Sequence, residues 1–309
     1  MLVAHLIERG GPYAVEPPEE LCEALRDADV LMVHMCPVPA KLLDAAPRLK
    51  AVLVNRGGME NVDIPAATER GIAVLNNPAH NANSVAELTI ALMLSETRNL
   101  ARTHRNLMEG RWVENYRNAG HVFDLRGRTV GLLGFGNIGP LVARKLQAFD
   151  CEIRVWDPFI SPDKPELALY GCRLVDKETA LDSDIVSLHV RSDSQVLTCE
   201  DIAKLKPGCY FINTARPHLI DNQALYEALR DGRVMGAAFD VFMEEPISPD
   251  NPYLTLDNVT LSNHRGGVTE NCYSDSPAFL LGEMENYRAG RPVRFFVNER
   301  ELAAKRATN

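Results

Sequence analysis

From about residue 128 to residue 265, short apolar runs rich in β-branched residues alternate with amphipathic stretches, the pattern of a parallel sheet covered by helices on both faces. The predicted strands are Thr129–Leu133, Glu152–Trp156, Ile185–Val190, Tyr210–Thr214, Gly236–Val241 and Val259–Ser262. Six such runs suit one complete doubly wound sheet. Between them, 137–149 and 221–231 space apolar residues three and four apart, and Gly232 stands where the second helix would stop. The first hundred residues repeat the alternation more weakly, with strands at Val30–Val33, Ala51–Val54 and Ile72–Leu75 between helices at 19–26 and 40–46. That predicts a second, smaller α/β domain. From Ser84 to about Met108 the apolar period runs on without Gly or Pro and predicts a single helix linking the halves, and 275–288 predicts another.

A length of 309 residues suits two compact domains, and 46% hydrophobic with 24% charged residues is a globular composition. With 33 Lys+Arg against 42 Asp+Glu the net charge is -9, the wrong sign for neutralising phosphate backbones, so nucleic acid is not an expected partner. No run of apolar residues is long enough to predict a membrane span. The seven cysteines are scattered, with no C-x-x-C pair and no histidine at zinc-ligand spacing, so no metal is expected. Reduced thiols and the lack of a leader-like start point to the cytoplasm.

Residues 130–139 read V-G-L-L-G-F-G-N-I-G, which puts G-x-G-x-x-G directly after a predicted strand and at the mouth of a predicted helix. Gly134 serves the tight turn, Gly136 lets the backbone approach a pyrophosphate, Gly139 lets helix and strand pack, and the helix N-terminus attracts phosphate charge. Asp157 closes the next strand, where a carboxylate accepts ribose hydroxyls and repels a 2′-phosphate, favouring NAD over NADP. Three later segments each bring ionisable residues to a strand's carboxyl end: 211–216 (FINTAR), 239–246 (FDVFMEEP) and 261–267 (LSNHRGG). Hydride transfer between nicotinamide and a 2-keto acid needs a cation for the substrate carboxylate and ketone, and a proton donor active near neutral pH. Arg216 and His264 are of the right types. Glu245 adds a carboxylate which, bonded to the far imidazole nitrogen, would stabilise the protonated ring and fix its orientation. Singly, each residue is equally at home in a surface ion pair or a satisfied polar contact, and the sequence does not show that the three converge.

The segments GLLGFGNIG, FINTARPHLID, GAAFDVFMEEP and LSNHRGG resemble those of the D-isomer-specific 2-hydroxyacid dehydrogenases, with the likeness running from about Ala51 to the C-terminus. The motif set is most like that of the phosphoglycerate dehydrogenases. The resemblance implies a Rossmann cofactor domain (98–267) inserted into a discontinuous flavodoxin-like substrate domain (1–97 and 268–309), two doubly wound parallel sheets in all. It implies catalysis by Arg216, Glu245 and His264 in a cleft between domains, and a homodimer formed largely through the cofactor domains. NAD would be held by Gly134, Gly136, Asn137, Ile138, Gly139, Asp157, Val190, Thr214, Ala215, Asp240, His264, Gly266 and Gly267. Asp240 matches the family residue that orients the nicotinamide carboxamide, and 81–87 matches the segment lining the nicotinamide site. The substrate would meet Arg56, Gly57 and Gly58, together with Arg216 and His264. Alternative activities are glyoxylate or hydroxypyruvate reduction, oxidation of a longer sugar acid, or NADH sensing by a corepressor-like binding protein.

Several positions depart from the family pattern. Residues 1–10 look like the end of the first helix, so the expected opening strand is missing from the reading. Pro217 follows Arg216 where a small residue is usual, and His218 is a further candidate for the cleft. Asn263 and Arg265 flank His264 where proline and an aliphatic residue are commoner. Arg56 and Arg265 could together read a polar or doubly anionic substrate, or each could pair with a nearby carboxylate. Tyr116 and Arg117 are weaker substrate candidates. Glu245, where formate-oxidising relatives carry glutamine, disfavours formate as substrate. A chain that stops soon after Asn298 is expected to lack the C-terminal regulatory domain of many phosphoglycerate dehydrogenases.

Overall fold

The computed structural model describes residues 6–7 and 10–308, so most of the reading of 1–10 lies outside the described residues. The chain forms two compact units, 1–80 with 269–309, and 81–268. The sequence reading put the first boundary at 97/98. It falls earlier because the helix Ala82–Thr97 packs on strands of the larger unit.

In the smaller unit, β1 (Val30–Val33), β2 (Ala51–Val54) and β3 (Ala73–Asn76) form a parallel sheet in the order 1-2-3. β2 is central and buried throughout, which is why it reads as an unbroken apolar run. Its side chains alternate between two cores: Val52 and Val54 pack with Leu42 and Val74, Ala51 and Leu53 with Leu75 and Leu280. Leu280 comes from the helix Glu270–Arg288, which starts five residues before the predicted 275 because Thr269 caps it, its hydroxyl accepting from Cys272 N at 3.2 Å.

The larger unit holds β4 (Thr129–Leu133), β5 (Glu152–Trp156), β6 (Cys172–Leu174), β7 (Ile185–Leu188), β8 (Tyr210–Asn213), β9 (Gly236–Phe239) and β10 (Val259–Leu261). They are parallel, in the order 6-5-4-7-8-9-10. The chain reverses direction across the sheet between β4 and β7, and open α/β sheets bind ligands at the carboxyl ends of the strands at such a switch point. Alternate residues feed two cores, Leu133, Leu188 and Phe211 to one face and Leu132, Ile185 and Ile212 to the other. β6 is absent from the sequence reading. It is a three-residue edge strand, Cys-Arg-Leu, none of it fully buried, so it lacks the apolar run of its neighbours.

The single helix predicted from 84 to 108 is two, Ala82–Thr97 and Leu100–Met108. Asn99 breaks it by adopting a left-handed backbone (φ 60°), which asparagine tolerates better than most residues. Its side-chain amide donates to Asn118 Oδ1 at 2.8 Å, and its Oδ1 accepts from Arg102.

Candidate active site

Two of the three fingerprint glycines are dictated by the protein's own packing. Gly134 has φ 99°, and a Cβ there would lie 2.7 Å from the His189 carbonyl across the switch point; a Cβ on Gly139 would overlap the Gly134 carbonyl oxygen. A Cβ on Gly136 would meet nothing within 4 Å. The missing side chain at Gly136 therefore leaves room for something other than protein, which is how a backbone approaching a pyrophosphate would look. Asn137 and Ile138 lead from there into the helix Gly139–Gln147. Asp157, just past β5, accepts Phe135 N at 2.7 Å on one oxygen and Phe159 N at 2.9 Å on the other. Its carboxylate thus fixes the glycine turn, and its remaining lone pairs stay available to ribose hydroxyls.

At the end of β7, His189 N donates to Leu133 O at 2.7 Å and half-buried Val190 follows. Beyond β8, the fully buried Asn213 brackets the next turn: its Oδ1 accepts Ala215 N at 3.0 Å and its Nδ2 donates to the Arg216 carbonyl at 3.0 Å. Thr214 shares a 2.9 Å hydrogen bond with Thr89 of the helix Ala82–Thr97. Sequence reasoning passed over Asn213 as a positioning residue; the signal was a lone amide at the end of an apolar run, where burial demands partners. The Arg216 side chain is exposed and donates to the Ala215 carbonyl at 2.8 Å, with no carboxylate paired to it among the described residues.

The β10 loop carries His264 with φ 54°, and its Nδ1 lies 2.7 Å from Glu245 Oε2. Glu245 Oε1 accepts Phe242 N at 3.0 Å, so the carboxylate is fixed from its own loop. A carboxylate only accepts, which places a proton on Nδ1 and leaves Nε2 for chemistry. Asp240, 1% exposed, accepts from Ser262 Oγ (2.5 Å), Arg265 N (2.8 Å) and Gly266 N (2.8 Å). Gly267 packs on Asn81, where a Cβ would come within 2.7 Å of the amide nitrogen. Because β8, β9 and β10 are neighbours in register at Asn213, Phe239 and Leu261, the segments bearing Arg216, Glu245 and His264 leave one edge of the sheet side by side.

Arg56, Gly57 and Gly58 belong to the smaller unit, past β2. The Arg56 guanidinium lies 3.7 Å from Glu60 and 2.7 Å from Met35 Sδ, so for this arginine a carboxylate pair is what the structure shows. The Arg265 side chain has no such pair among the described residues. His218 faces the Ser192 carbonyl at 2.9 Å, the Tyr116 hydroxyl accepts from Asn106 at 3.3 Å, and Arg117 donates to the Arg230 carbonyl, which gives all three structural employment.

Comparison with known proteins identifies the family. Residues 90–266 match the family model described as D-isomer specific 2-hydroxyacid dehydrogenase, NAD binding domain. The D-3-phosphoglycerate dehydrogenase of Archaeoglobus fulgidus is 36% identical over 285 residues, covering 91% of this chain and 53% of that protein. The chain thus spans about half the length of such relatives. The hydroxypyruvate reductase of Thermotoga maritima is 40% identical over 258 residues, covering 81% of this chain and 82% of that one. Among solved structures, a putative D-isomer specific 2-hydroxyacid dehydrogenase from Polaromonas superposes with a TM-score of 0.75 at 26% identity, covering 92% of this chain and 90% of the other. The chain belongs to the D-isomer specific 2-hydroxyacid dehydrogenases, and its larger unit carries that family's NAD-binding domain.

Proposed function

We propose that the protein interconverts a D-2-hydroxy acid and its 2-keto acid, with catalysis by Arg216, Glu245 and His264. The observation that carries this is the 2.7 Å contact between His264 Nδ1 and Glu245 beside the Arg216 turn. Bound NAD supplies or accepts the hydride. In the reducing direction, His264 gives the proton on Nε2 to the ketone oxygen, and Glu245 offsets the ring's charge before transfer and holds its angle. In the oxidising direction the same nitrogen takes the hydroxyl proton. Arg216, with no carboxylate paired to it among the described residues, supplies positive charge to the substrate carboxylate and the developing alkoxide. The glycine turn, Asp157, Val190, Thr214, Ala215 and the 266–267 glycines would hold the cofactor.

The motif set favours a phosphoglycerate dehydrogenase-like activity. Hydroxypyruvate or glyoxylate reduction is the second reading, supported by a hydroxypyruvate reductase that this chain matches over most of its length and by the Glu60 partner that occupies Arg56. NADH oxidation measured across glyoxylate, hydroxypyruvate, phosphohydroxypyruvate and longer sugar-derived keto acids tests both. A leading rate with phosphohydroxypyruvate supports the first, a leading rate with hydroxypyruvate the second, and no consumption of any member overturns the reading.

A cytoplasmic homodimer belongs to the same proposal. The seven cysteines are all free, and no helix among the described residues is long and apolar enough to cross a membrane. The segment after Asn99 exposes Leu100, Leu107, Met108 and Trp112, an apolar surface of the kind that a second copy would cover. Sedimentation giving a dimer that Trp112→Ser weakens is the expected result; a monomer at micromolar concentration contradicts it.

A further inference from the structure

His264 sits at φ 54°, a backbone region unfavourable for a residue with a side chain, which persists only where the surroundings impose it. The imposing group is one carboxylate. Directly after His264, the amides of Arg265 and Gly266 both donate to Asp240 at 2.8 Å, and just before it Ser262 Oγ donates to the same group at 2.5 Å. Successive amides beside a left-handed residue form an anion-binding nest, and here the anion is supplied by the protein itself. Asp240 is 1% exposed and is tied by its own N–H to the Asn213 carbonyl at 3.1 Å, so it is anchored in the sheet. A Cβ on Gly266 would lie 3.0 Å from Asp240 Oδ2, which shows how closely the turn is drawn over the carboxylate. Five residues further along the same segment, Glu245 takes the His264 ring.

We propose that Asp240 is a positioning residue that clamps the backbone turn carrying His264, and that its contribution to turnover runs through the aim of that imidazole rather than through cofactor affinity. This rests on the catalytic reading of His264 given above. All three donors need an acceptor on both carboxylate oxygens. An asparagine would turn an NH2 group toward at least one of them in a buried site, and the turn would relax.

The test compares wild type, Asp240→Asn and Ser262→Ala in the full chain. Readouts are kcat at saturating NADH and keto acid, the Kd for NADH, and the proton resonance of the His264 Nδ1 hydrogen bond, assigned by its loss in His264→Asn. For Asp240→Asn, kcat should fall about 100-fold, the usual scale for a misplaced catalytic group. Ser262→Ala, which leaves the carboxylate intact, should lose about fivefold in kcat, the worth of one neutral hydrogen bond. In both variants the NADH Kd should stay within about threefold of wild type and the Nδ1 resonance should broaden or vanish. An unchanged kcat with a tenfold weaker Kd would make Asp240 a cofactor anchor only and overturn the proposal, as would an intact Nδ1 resonance in both variants. If wild type turns over no keto acid, the catalytic reading has failed, and the resonance still decides whether Asp240 holds the turn.

Discussion

At the scale of single residues, a motif glycine can be forced by the fold or kept clear for a ligand, and the two have opposite signatures on substitution. A methyl at Gly139 meets the Gly134 carbonyl inside the turn, so Gly139→Ala should destabilise the protein by about 1–3 kcal/mol, the usual cost of overpacking. A methyl at Gly136 meets no protein atom within 4 Å, so Gly136→Ala should leave the denaturation midpoint unmoved while weakening NADH binding tenfold or more. Chemical denaturation and NADH fluorescence titration of both variants check this; a destabilised Gly136→Ala protein with normal NADH affinity would refute it. His189 gives a second prediction at this scale. Burial pushes its imidazole down to about 3 from an ordinary 6.5, and its Nδ1 has no hydrogen-bond partner among the described residues. Between those values the unfolded chain binds a proton that the native state refuses, so stability should fall as the pH drops from about 6.5 toward about 3. Burial pushes His80 of the smaller unit down to about 4, with the same sign. In His189→Gln, which keeps a hydrogen-bonding group near Ser187, the decline should be shallower; an identical pH dependence of unfolding would contradict the assignment.

At the scale of elements, what could be read from the sequence depended on how locally each feature is determined. β2, β4 and β7–β9 are buried over most of their length, so their apolar runs stood out, and the fingerprint was legible because its glycines and its strand and helix lie close together in sequence. The edge strand β6 gave no such run. The break at Asn99 was not legible because it is held by residues far along the chain. Asn99 bonds Asn118, whose amide donates to the Tyr210 hydroxyl at 2.9 Å, and Arg102 reaches Asn99 and Glu96, itself bonded to Thr260 at 2.7 Å. Burial pushes the Glu96 carboxyl up, opposed chiefly by the Arg102 charge, and the chain makes room for the pair with Gly236, where a Cβ would strike Glu96. Removing one partner strands a buried charge, so Glu96→Ala should cost about 3–5 kcal/mol in urea denaturation. A loss below about 1 kcal/mol would mean that Arg102 finds water and that the network does not hold the 99–121 segment in place.

At the scale of the molecule, strand order does what sequence order cannot. The motifs bearing Arg216, Glu245 and His264 are spread over about fifty residues, and each has an ordinary reading by itself. The succession β8-β9-β10 brings their loops to one edge, and the ring of His264 onto Glu245. Of the two adjacent glutamates, Glu244 and Glu245, it is Glu245 whose carboxylate meets the ring. Side chains of the loops differ in a way the motifs do not foretell: Arg56 is engaged by Glu60, while Arg265 has no carboxylate partner among the described residues. On the mechanism proposed above, His264 handles the substrate proton while the glycine turn and its neighbours would hold the cofactor independently of it. The most direct measurement is kcat and NADH Kd for His264→Asn beside wild type, with the keto acid that wild type reduces fastest. The account predicts a kcat lower by about 10²–10⁴-fold, the reach of a general acid, with NADH affinity unchanged. A variant that turns over at the wild-type rate would contradict it.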